Sequence, residues 1–390
     1  MFVSRLSCFA CGAEQPRDRL VGVCACGKPV RVEYDLRAAG QALSREALAS
    51  RPPGLWRYRE LLPLPRGIEP KSLGEGGTPM LQADRLAAES GMEPGSLWIK
   101  DESLNPTGSF KARGMAVAVA MAAFLGAKKL AVPSAGNAGG AMAAYAAAYG
   151  LEAHVFLPRD VPKANLLECE ILGAKIHLVD GLITDCAKAL RERTEAEGWF
   201  DVSTLREPYR VEGKKTMGYE IAEHFGWELP DVIVYPTGGG TGLIGMAKAF
   251  DEMESLGWIG PKRPRFVAVQ AEGCAPIVRG FEDELDHGAP VEDARTVAAG
   301  LRVPKAIADF VMLRILRETG GTAVAVSDSE LLEDARRMGA LTGICACPEG
   351  GACLSGLRKL IACGFVQRGE QVALFNTGNG AKYAEAFSEG

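Results

Sequence analysis

The chain has 390 residues, of which 47% are hydrophobic and 24% charged, a balance typical of a soluble globular protein with enough core for two domains. The formal net charge of -5 excludes a general electrostatic attraction to nucleic acid or to an anionic membrane, and no apolar run approaches the length of a membrane span. The eleven cysteines are scattered and no signal-peptide core follows the N-terminus, so we expect a cytoplasmic protein with free thiols.

The first predicted element is a small cysteine-bearing segment, residues 1–36. Two close cysteine pairs, each followed by glycine, resemble the two knuckles of a zinc ribbon. The second pair is one residue shorter than the usual CxxC spacing. Two interpretations therefore stay open, a structural zinc site and a knuckle-shaped segment without metal. The candidate ligands are Cys8, Cys11, Cys24 and Cys26.

The next feature is a lysine at the start of an apolar helix. Residues 112–125 are rich in Ala, Met and Val, which predicts a buried helix whose first turn begins near Ser109. Lys111 then lies at the positive end of the helix dipole in apolar surroundings, and both effects lower the pKa of its amine. A neutral amine is what imine formation with a carbonyl cofactor requires, so Lys111 is the candidate nucleophile. A lysine on the exposed face of the helix is the alternative for this residue taken alone.

Two glycine-rich loops each follow a predicted strand and precede a helix. The strand over 129–133 leads into SAGNAGG at 134–140, and the strand over 231–236 leads into TGGGTG at 237–242. Small residues at such a switch let backbone N–H groups close around an anion. We expect the first loop to hold a substrate carboxylate and the second to hold one phosphate.

A dinucleotide site competes for the second loop. Gly240, Gly242 and Gly245 satisfy the GxGxxG pattern after a strand, and Glu272 follows the next strand. This interpretation leaves Lys111 and the loop at 134–140 without a role.

Strands and helices alternate through the middle of the chain. Strands predicted over 153–157, 175–179 and 266–270 are interleaved with helical runs such as 162–172 and 183–197, which predicts parallel sheets covered by helices. The four histidines belong to no catalytic or metal-binding motif, so neither a Ser-His-Asp triad nor a histidine-metal mechanism has a basis here.

These motifs occur together in a known family pattern. The segment NPTGSFKARG at 105–114 resembles the lysine segment of the pyridoxal-phosphate (PLP) enzymes of the tryptophan-synthase-β type, fold type II. The segments GEGGTPM at 74–80, SAGN at 134–137, PEGG at 348–351 and TGNGAK at 377–382 resemble those of threonine synthases within that family, in the same order and at compatible spacing.

The resemblance implies an α/β fold of two parallel-sheet domains with PLP in the cleft between them, preceded by the zinc-ribbon-like segment. The larger, PLP-binding domain is expected from residues 37–107 and 203–390. The smaller α/β domain is expected from residues 108–202.

The resemblance also implies the roles of individual residues. Lys111 forms the Schiff base with PLP and, once released, removes the proton from the substrate Cα. The Asn137 amide meets the phenolic oxygen of the cofactor, the loop at 237–242 holds its phosphate, and the Thr377 hydroxyl meets its pyridine nitrogen. The expected cofactor contacts are Phe110, Lys111, Asn137, Gly238, Gly239, Gly240, Thr241, Gly242 and Thr377. The expected substrate contacts are Thr107, Ser109, Ser134 and Gly136.

The activity implied is that of a lyase converting O-phospho-L-homoserine and water to L-threonine and phosphate, in a cytoplasmic homodimer that acts on a small amino-acid substrate and binds neither nucleic acid nor membrane. Two positions depart from the family pattern: Glu207 replaces an asparagine, and Ala112 replaces a frequent aspartate. A carboxylate that faced the substrate phosphate would repel it. A threonine or serine ammonia-lyase or a β-replacement enzyme using Lys111 therefore stays open, as does a cofactor-binding regulatory protein without turnover.

Overall fold

The computed structural model describes residues 2–388, and the strands of this range form three sheets. Met1, Glu389 and Gly390, which the expected domain boundaries include, lie outside the described residues. The strands are β1 (Val3–Cys8), β2 (Glu14–Gln15), β3 (Val30–Tyr34), β4 (Met80–Gln82), β5 (Leu97–Asp101), β6 (Lys129–Pro133), β7 (Glu152–Pro158), β8 (Lys175–Val179), β9 (Phe200–Asp201), β10 (Val232–Pro236), β11 (Arg265–Ala271), β12 (Thr322–Val326) and β13 (Val372–Asn376).

The α-helices cover both faces of the two larger sheets. They are α1 (Leu36–Ala42), α2 (Arg45–Ala49), α3 (Asp84–Glu89), α4 (Lys111–Phe124), α5 (Asn137–Tyr149), α6 (Lys163–Ile171), α7 (Ile183–Glu197), α8 (Tyr209–His224), α9 (Thr241–Ser255), α10 (Pro276–Glu282), α11 (Asp309–Glu318), α12 (Asp328–Thr342), α13 (Pro348–Ala362) and α14 (Ala384–Ser388). Short 3-10 turns cover Leu55–Leu61, Glu102–Leu104, Pro106–Gly108 and Gly380–Tyr383.

The largest sheet has six strands in the order β12-β11-β10-β13-β5-β4, all parallel except β4 at the edge. Its central strand β10, VIVYP, is buried along its whole length. Because successive side chains of a strand point to opposite faces, Ile233 packs in the core beneath α8 and α9, and Val232 packs in the core beneath α12 and α13. Helices therefore cover both faces of this sheet.

A second parallel sheet has four strands in the order β8-β7-β6-β9, all between residues 129 and 201. On one face Leu130 packs with Met115 of α4 and Tyr145 of α5, and on the other Ala131 packs with Leu190 of α7. The predicted α/β class with parallel sheets is confirmed.

The N-terminal residues form a three-stranded antiparallel sheet in the order β2-β1-β3. Leu6 and Val32 face each other across it and share a buried cluster with Val117 on α4. The Tyr34 hydroxyl at the end of β3 donates to the Glu212 carboxylate on α8 at 2.7 Å. The small sheet is therefore packed against the rest of the chain. Across residues 2–388, the structure contains no helix of the length and apolarity that a membrane crossing demands.

Candidate active site

A cavity of about 810 Å³ lies where the loops after β6, β10 and β13 meet the start of α4. Ligands of parallel α/β sheets bind beyond the carboxyl ends of the strands, and the volume falls in the range of small-molecule sites. The lining includes eleven residues expected from sequence: Phe110, Lys111, Ser134, Gly136, Asn137, Gly238, Gly239, Gly240, Thr241, Gly242 and Thr377.

Lys111 is the first residue of α4, two positions after the start expected from sequence. Burial lowers the pKa of Lys111 to about 8; the charge of Arg210 lowers it further, and the carboxylate of Glu349 opposes the shift. The Lys111 amine lies 4.5 Å from the centre of the Phe110 ring. A substantial fraction of this amine is therefore neutral near pH 8 and can act as a nucleophile.

A buried ion-pair network positions the segment that carries Lys111. The Arg113 guanidinium is fully buried and donates to both oxygens of Glu102 (2.6 and 2.8 Å) and to both oxygens of Glu220 (2.6 and 2.7 Å). The Lys100 amine lies 2.6 Å from the Glu220 carboxylate. Two cations thus balance two carboxylates, which is the condition under which buried charges are tolerated. The network joins the end of β5, the start of α4 and the middle of α8.

The loop after β10 provides a set of free backbone donors. No side chain caps α9, and Gly240 before it has φ of +78°, a conformation that favours glycine. A Cβ added at Gly238 would lie 2.4 Å from the Gly300 carbonyl oxygen, and one at Gly242 would lie 1.9 Å from the Tyr235 hydroxyl. Only glycine fits this close approach, and the exposed N–H groups can hold a phosphate.

A chain of hydrogen bonds crosses the opposite side of the cavity. The Asn137 amide donates to the Tyr383 hydroxyl at 3.1 Å, and this hydroxyl donates to the Glu349 carboxylate at 2.9 Å. The same carboxylate oxygen accepts from the Gly300 N–H at 2.7 Å. Three lining residues retain a buried polar atom without a partner: Oδ1 of Asn137, Oε2 of Glu349 and the hydroxyl of Tyr235.

The cavity residues fit PLP, the cofactor that the resemblance implies. A lysine with a lowered pKa matches its carbonyl carbon, and the uncapped start of α9 matches its phosphate. An unpartnered buried polar atom costs about 1–3 kcal/mol, so the free atoms of Asn137 and Glu349 favour a ligand with polar groups of its own. The Thr377 hydroxyl has only the Cys347 thiol as a neighbour, at 3.9 Å, and is available to a ring nitrogen.

The Ser134 hydroxyl shapes its loop. It donates to the Gly136 carbonyl at 2.6 Å and accepts from the N–H groups of Gly136 (3.1 Å) and Gly139 (3.0 Å). Ser134 therefore holds the backbone of residues 134–139 in a turn beside the cavity.

Two expected substrate contacts do not line the cavity. The Thr107 carbonyl accepts from the Lys382 amine at 3.0 Å, and Thr107 has φ of +59°. Ser109 is fully buried and bridges to Gly378. The structure places both residues in the turn that leads into α4.

Glu207 is directed at a helix terminus. Its buried carboxylate accepts from the N–H groups of Tyr209 (2.7 Å) and Arg210 (3.1 Å) in the first turn of α8. Glu207 does not line the cavity. The expected repulsion of a substrate phosphate therefore loses its geometric basis. Glu272, the acidic residue of the competing dinucleotide interpretation, is exposed and does not line the cavity either.

Several lining residues had no sequence signal or a weak one. Tyr235 ends a buried strand, and Tyr383 follows the TGNGAK motif closely enough to have been included with it. The loop with Ala299, Gly300 and Val303 lies in a stretch without recognisable periodicity. Its contact with the cavity depends on the packing of the chain alone.

The four N-terminal cysteines lie together. Their sulfur atoms are all within 4.8 Å of one another. The distances are 3.5 Å between Cys8 and Cys26, and 3.7 Å from Cys11 to both Cys24 and Cys26. Four thiolates held tetrahedrally at about 2.3 Å from zinc stand roughly 3.8 Å apart, so the spacing fits a zinc ion.

Comparison with known proteins places these features in a family. The model of the family described as "Pyridoxal-phosphate dependent enzyme" matches residues 71–378. A threonine synthase of Methanosarcina acetivorans is 36% identical over 376 residues, which cover 96% of this chain and 91% of that protein. A threonine synthase of Methanocaldococcus jannaschii is 32% identical over 380 residues, covering 97% and 93%.

Solved structures share the fold. The structure of maize serine racemase has a TM-score of 0.66 at 20% identity and covers 80% of this chain and 92% of its own. The structure of a threonine deaminase from the organism abbreviated T.th. has a TM-score of 0.65 at 26% identity and covers 77% and 92%.

Proposed function

The chain belongs to the family of pyridoxal-phosphate-dependent enzymes, and we propose that it converts O-phospho-L-homoserine and water to L-threonine and phosphate. The observation that carries this function is the similarity to threonine synthases over 96–97% of the chain. The unaligned remainder is shorter than the cysteine-bearing segment, so part of that segment is included in the similarity. The structural relatives named above cover 77–80%.

The site residues have the following proposed roles. Lys111 anchors PLP, the N–H groups at 238–242 hold its phosphate, and Asn137 and Thr377 contact its ring oxygen and ring nitrogen. Phe110 packs at the same wall, 4.5 Å from the Lys111 amine. Ser134 and Gly136 present backbone N–H groups to the substrate carboxylate. Thr107 and Ser109 support the turn before α4, and their contribution to substrate binding is through this turn.

Proton movement is assigned to Lys111. When bound, PLP supplies an electron sink that stabilises negative charge on the substrate carbon atoms. The free Lys111 amine, with a pKa near 8, takes the proton from Cα because a base works best when its pKa is close to the working pH. The Thr377 hydroxyl holds the ring nitrogen without donating a full charge, which suits elimination and replacement. Phosphate leaves from Cγ, and water adds at Cβ.

A threonine ammonia-lyase is the second candidate, because the threonine deaminase structure is 26% identical to this chain. It uses the same lysine chemistry without a phosphate on the substrate. The departure at Glu207 no longer favours it, since that carboxylate caps α8.

Further proposals concern assembly and metal. We propose that residues 37–107 with 203–390 and residues 108–202 act as the two domains, and that the protein is a cytoplasmic homodimer. All eleven cysteines are free, which suits a reducing compartment. We also propose that Cys8, Cys11, Cys24 and Cys26 bind zinc, because their spacing fits it.

The test is an activity assay on the purified holoenzyme. Phosphate and threonine are measured with O-phosphohomoserine, and keto acid is measured with threonine and serine. The Lys111→Ala variant removes the nucleophile. Lys128→Ala is the matched control, because Lys128 is exposed and its side chain has no partner within residues 2–388.

We expect phosphate and threonine to appear together in the wild type and in Lys128→Ala, and to be lost in Lys111→Ala. Keto acid without phosphate would identify an ammonia-lyase on the same scaffold and refute the proposed reaction.

A further inference from the structure

A second cavity, of about 1140 Å³, adjoins the candidate active site. The two cavities share five lining residues: Pro133, Ile183, Thr204, Gly239 and Val303. Thr204 packs closely on the glycine-rich loop, since a Cβ added at Gly239 would lie 2.6 Å from its methyl carbon. The second cavity therefore shares a wall with the loop proposed to hold the cofactor phosphate.

The lining of this second cavity carries only positive charge. It contains Arg191, Arg206 and Lys305 and no aspartate or glutamate. Among residues 2–388, none of these three side chains forms an ion pair or a hydrogen bond. Burial and then the charge of Arg206 lower the pKa of Arg191. Like charges held together without a counter-charge repel one another, and a bound anion would relieve this repulsion.

One carboxylate lies close by and is engaged elsewhere. Asp201 raises the pKa of Arg191, against the larger effects of burial and Arg206. One of its oxygens accepts from the Ser203 N–H at 2.8 Å and from the Ser203 hydroxyl. Asp201 thus stabilises the turn after β9 and does not line the cavity.

The backbone on both sides of Arg206 is anchored. Leu205 is buried in the main core and has φ of +59°, a strained conformation for a leucine. Glu207 is buried and caps α8. Arg206 is therefore presented to the cavity by a rigid turn. Arg191 is presented by α7, on the same helix face as Ile183 and Ala187, which precede it at helical spacing.

We propose that this cavity, which we call the cationic antechamber, binds phosphate through Arg191, Arg206 and Lys305. Its ligands are the phosphate ester of the substrate on the way to Lys111 and the phosphate that the reaction releases. The identity of the ester rests on the proposed function, whereas binding of a phosphate anion does not.

Three expectations follow from the electrostatics. A cationic cleft raises the association rate of an anionic substrate by about 10-fold or more, so loss of the cations lowers kcat/KM. The kcat value stays unchanged, because these side chains do not line the cavity of Lys111. Salt at about 1 M reduces the Debye length to about 3 Å and removes most of the difference.

The experiment compares wild-type holoenzyme with R206Q/K305Q and R191Q. Binding of inorganic phosphate is measured by titration calorimetry, with PLP in place so that the cofactor's own phosphate loop is filled. The matched control is K188Q, because Lys188 is an exposed, unpaired lysine on α7 that does not line the antechamber. R206K/K305R retains both charges and reports whether a loss comes from charge or from folding.

We expect R206Q/K305Q to weaken phosphate binding and to lower kcat/KM for O-phosphohomoserine, each by about 10-fold at low salt, while R191Q has a smaller effect in the same direction. K188Q and R206K/K305R should behave like the wild type. Unchanged phosphate affinity in R206Q/K305Q would overturn the anion site.

The two sources of phosphate are separated by the kinetic arm. Weakened phosphate binding with unchanged kcat/KM would overturn the role in the substrate's path and leave free phosphate as the ligand. If the wild type does not act on O-phosphohomoserine at all, the proposed function fails, and the calorimetry still decides whether the antechamber binds phosphate.

Discussion

Lys111 shows how position determines the chemistry of a single side chain. The chain contains other buried lysines, yet Lys215 is paired with Glu212 (2.7 Å) and Glu252 (2.9 Å), and Lys100 is paired with Glu220. Within the described residues Lys111 has no carboxylate in salt-bridge contact, and burial lowers its pKa to about 8. The absence of a close counter-charge is what leaves its amine available as a nucleophile.

We predict that the rate of PLP uptake by the cofactor-free protein rises with pH through a midpoint near 8. Only the neutral amine reacts, and the neutral fraction of Lys111 grows as pH passes its pKa of about 8. The measurement is the growth of absorbance of the lysine-bound cofactor after mixing, at a series of pH values. A midpoint near 10.4, the ordinary value for lysine, would contradict the effect of burial.

Glu207 is a second residue whose position reverses its expected effect. Burial raises the pKa of Glu207 from 4.5 to about 7, while Arg210 and the N–H groups of Tyr209 and Arg210 oppose the shift. Between these pH values the folded chain holds a proton that the unfolded chain has lost. The contribution of Glu207 to stability is therefore fully present below 4.5 and is lost as pH rises through about 7.

We predict that Glu207→Gln loses less stability than the wild type between about pH 5 and pH 8. Glutamine cannot ionise, yet its amide oxygen can still accept from the start of α8. The difference is on the order of 3 kcal/mol, at about 1.4 kcal/mol per pH unit. The measurement is the thermal midpoint of both holoenzymes at each pH. Glu170→Gln, at an exposed position without a partner, is the control. Parallel curves for wild type and Glu207→Gln would show that this carboxylate does not titrate as inferred.

At the scale of elements, strand-to-loop-to-helix units build the candidate site. Both β6 and β10 end in proline, pass through a glycine-rich loop and lead into a helix whose N-cap is a glycine, Gly136 or Gly240. Neither helix has a side-chain cap, so the first-turn N–H groups remain free at the cavity. The close packing of these loops depends on the absence of side chains.

We predict that Gly238→Ala weakens PLP binding by about 10-fold or more, because the new methyl group would lie 2.4 Å from the backbone oxygen of Gly300. Overpacking of this kind costs about 1–3 kcal/mol, since backbone must move. Absorbance titration of the cofactor-free protein with PLP measures the effect. Gly260→Ala is the control, because its Cβ would meet no atom within 4 Å. Equal affinities in both variants would indicate that the loop is not part of the cofactor site.

At the scale of the whole molecule, the N-terminal sheet is tied to the body at several points. The Tyr34 hydroxyl reaches Glu212, Gly22 lies against the carbonyl of Arg206, and Gly27 lines the cationic antechamber. The cysteine cluster therefore holds a segment that contacts the wall next to the candidate active site.

We predict that a chelator lowers the thermal midpoint of the protein by several degrees, because zinc binding contributes directly to the stability of a segment with a small core. The Cys11→Ser variant should start from the lower midpoint and respond little to the chelator. Elemental analysis of the purified protein gives the metal content. Cys363→Ser, at an exposed cysteine outside the cluster, is the control. Metal-free protein with a chelator-insensitive midpoint would favour the knuckle without zinc.

Local patterns in the sequence determined a large part of the fold. The strands over 129–133 and 175–179 and the helix over 183–197 have the predicted bounds, and Ser327 caps α12 as predicted. Eleven of the expected site residues line one cavity. These features depend on hydrophobic periodicity, glycine-rich turns and helix starts, all of which act over a few neighbouring residues.

Only the tertiary structure decided how distant segments meet. In the large sheet β13 pairs with β5 although about 270 residues separate them, and this pairing brings Thr377 to the start of α4. The hydrogen bonds from Asn137 through Tyr383 to Glu349, the direction of Glu207 and the three cations of the antechamber all follow from such pairings. Sequence periodicity identifies which face of an element is buried, but the partner that covers this face is selected by the packing of the whole chain.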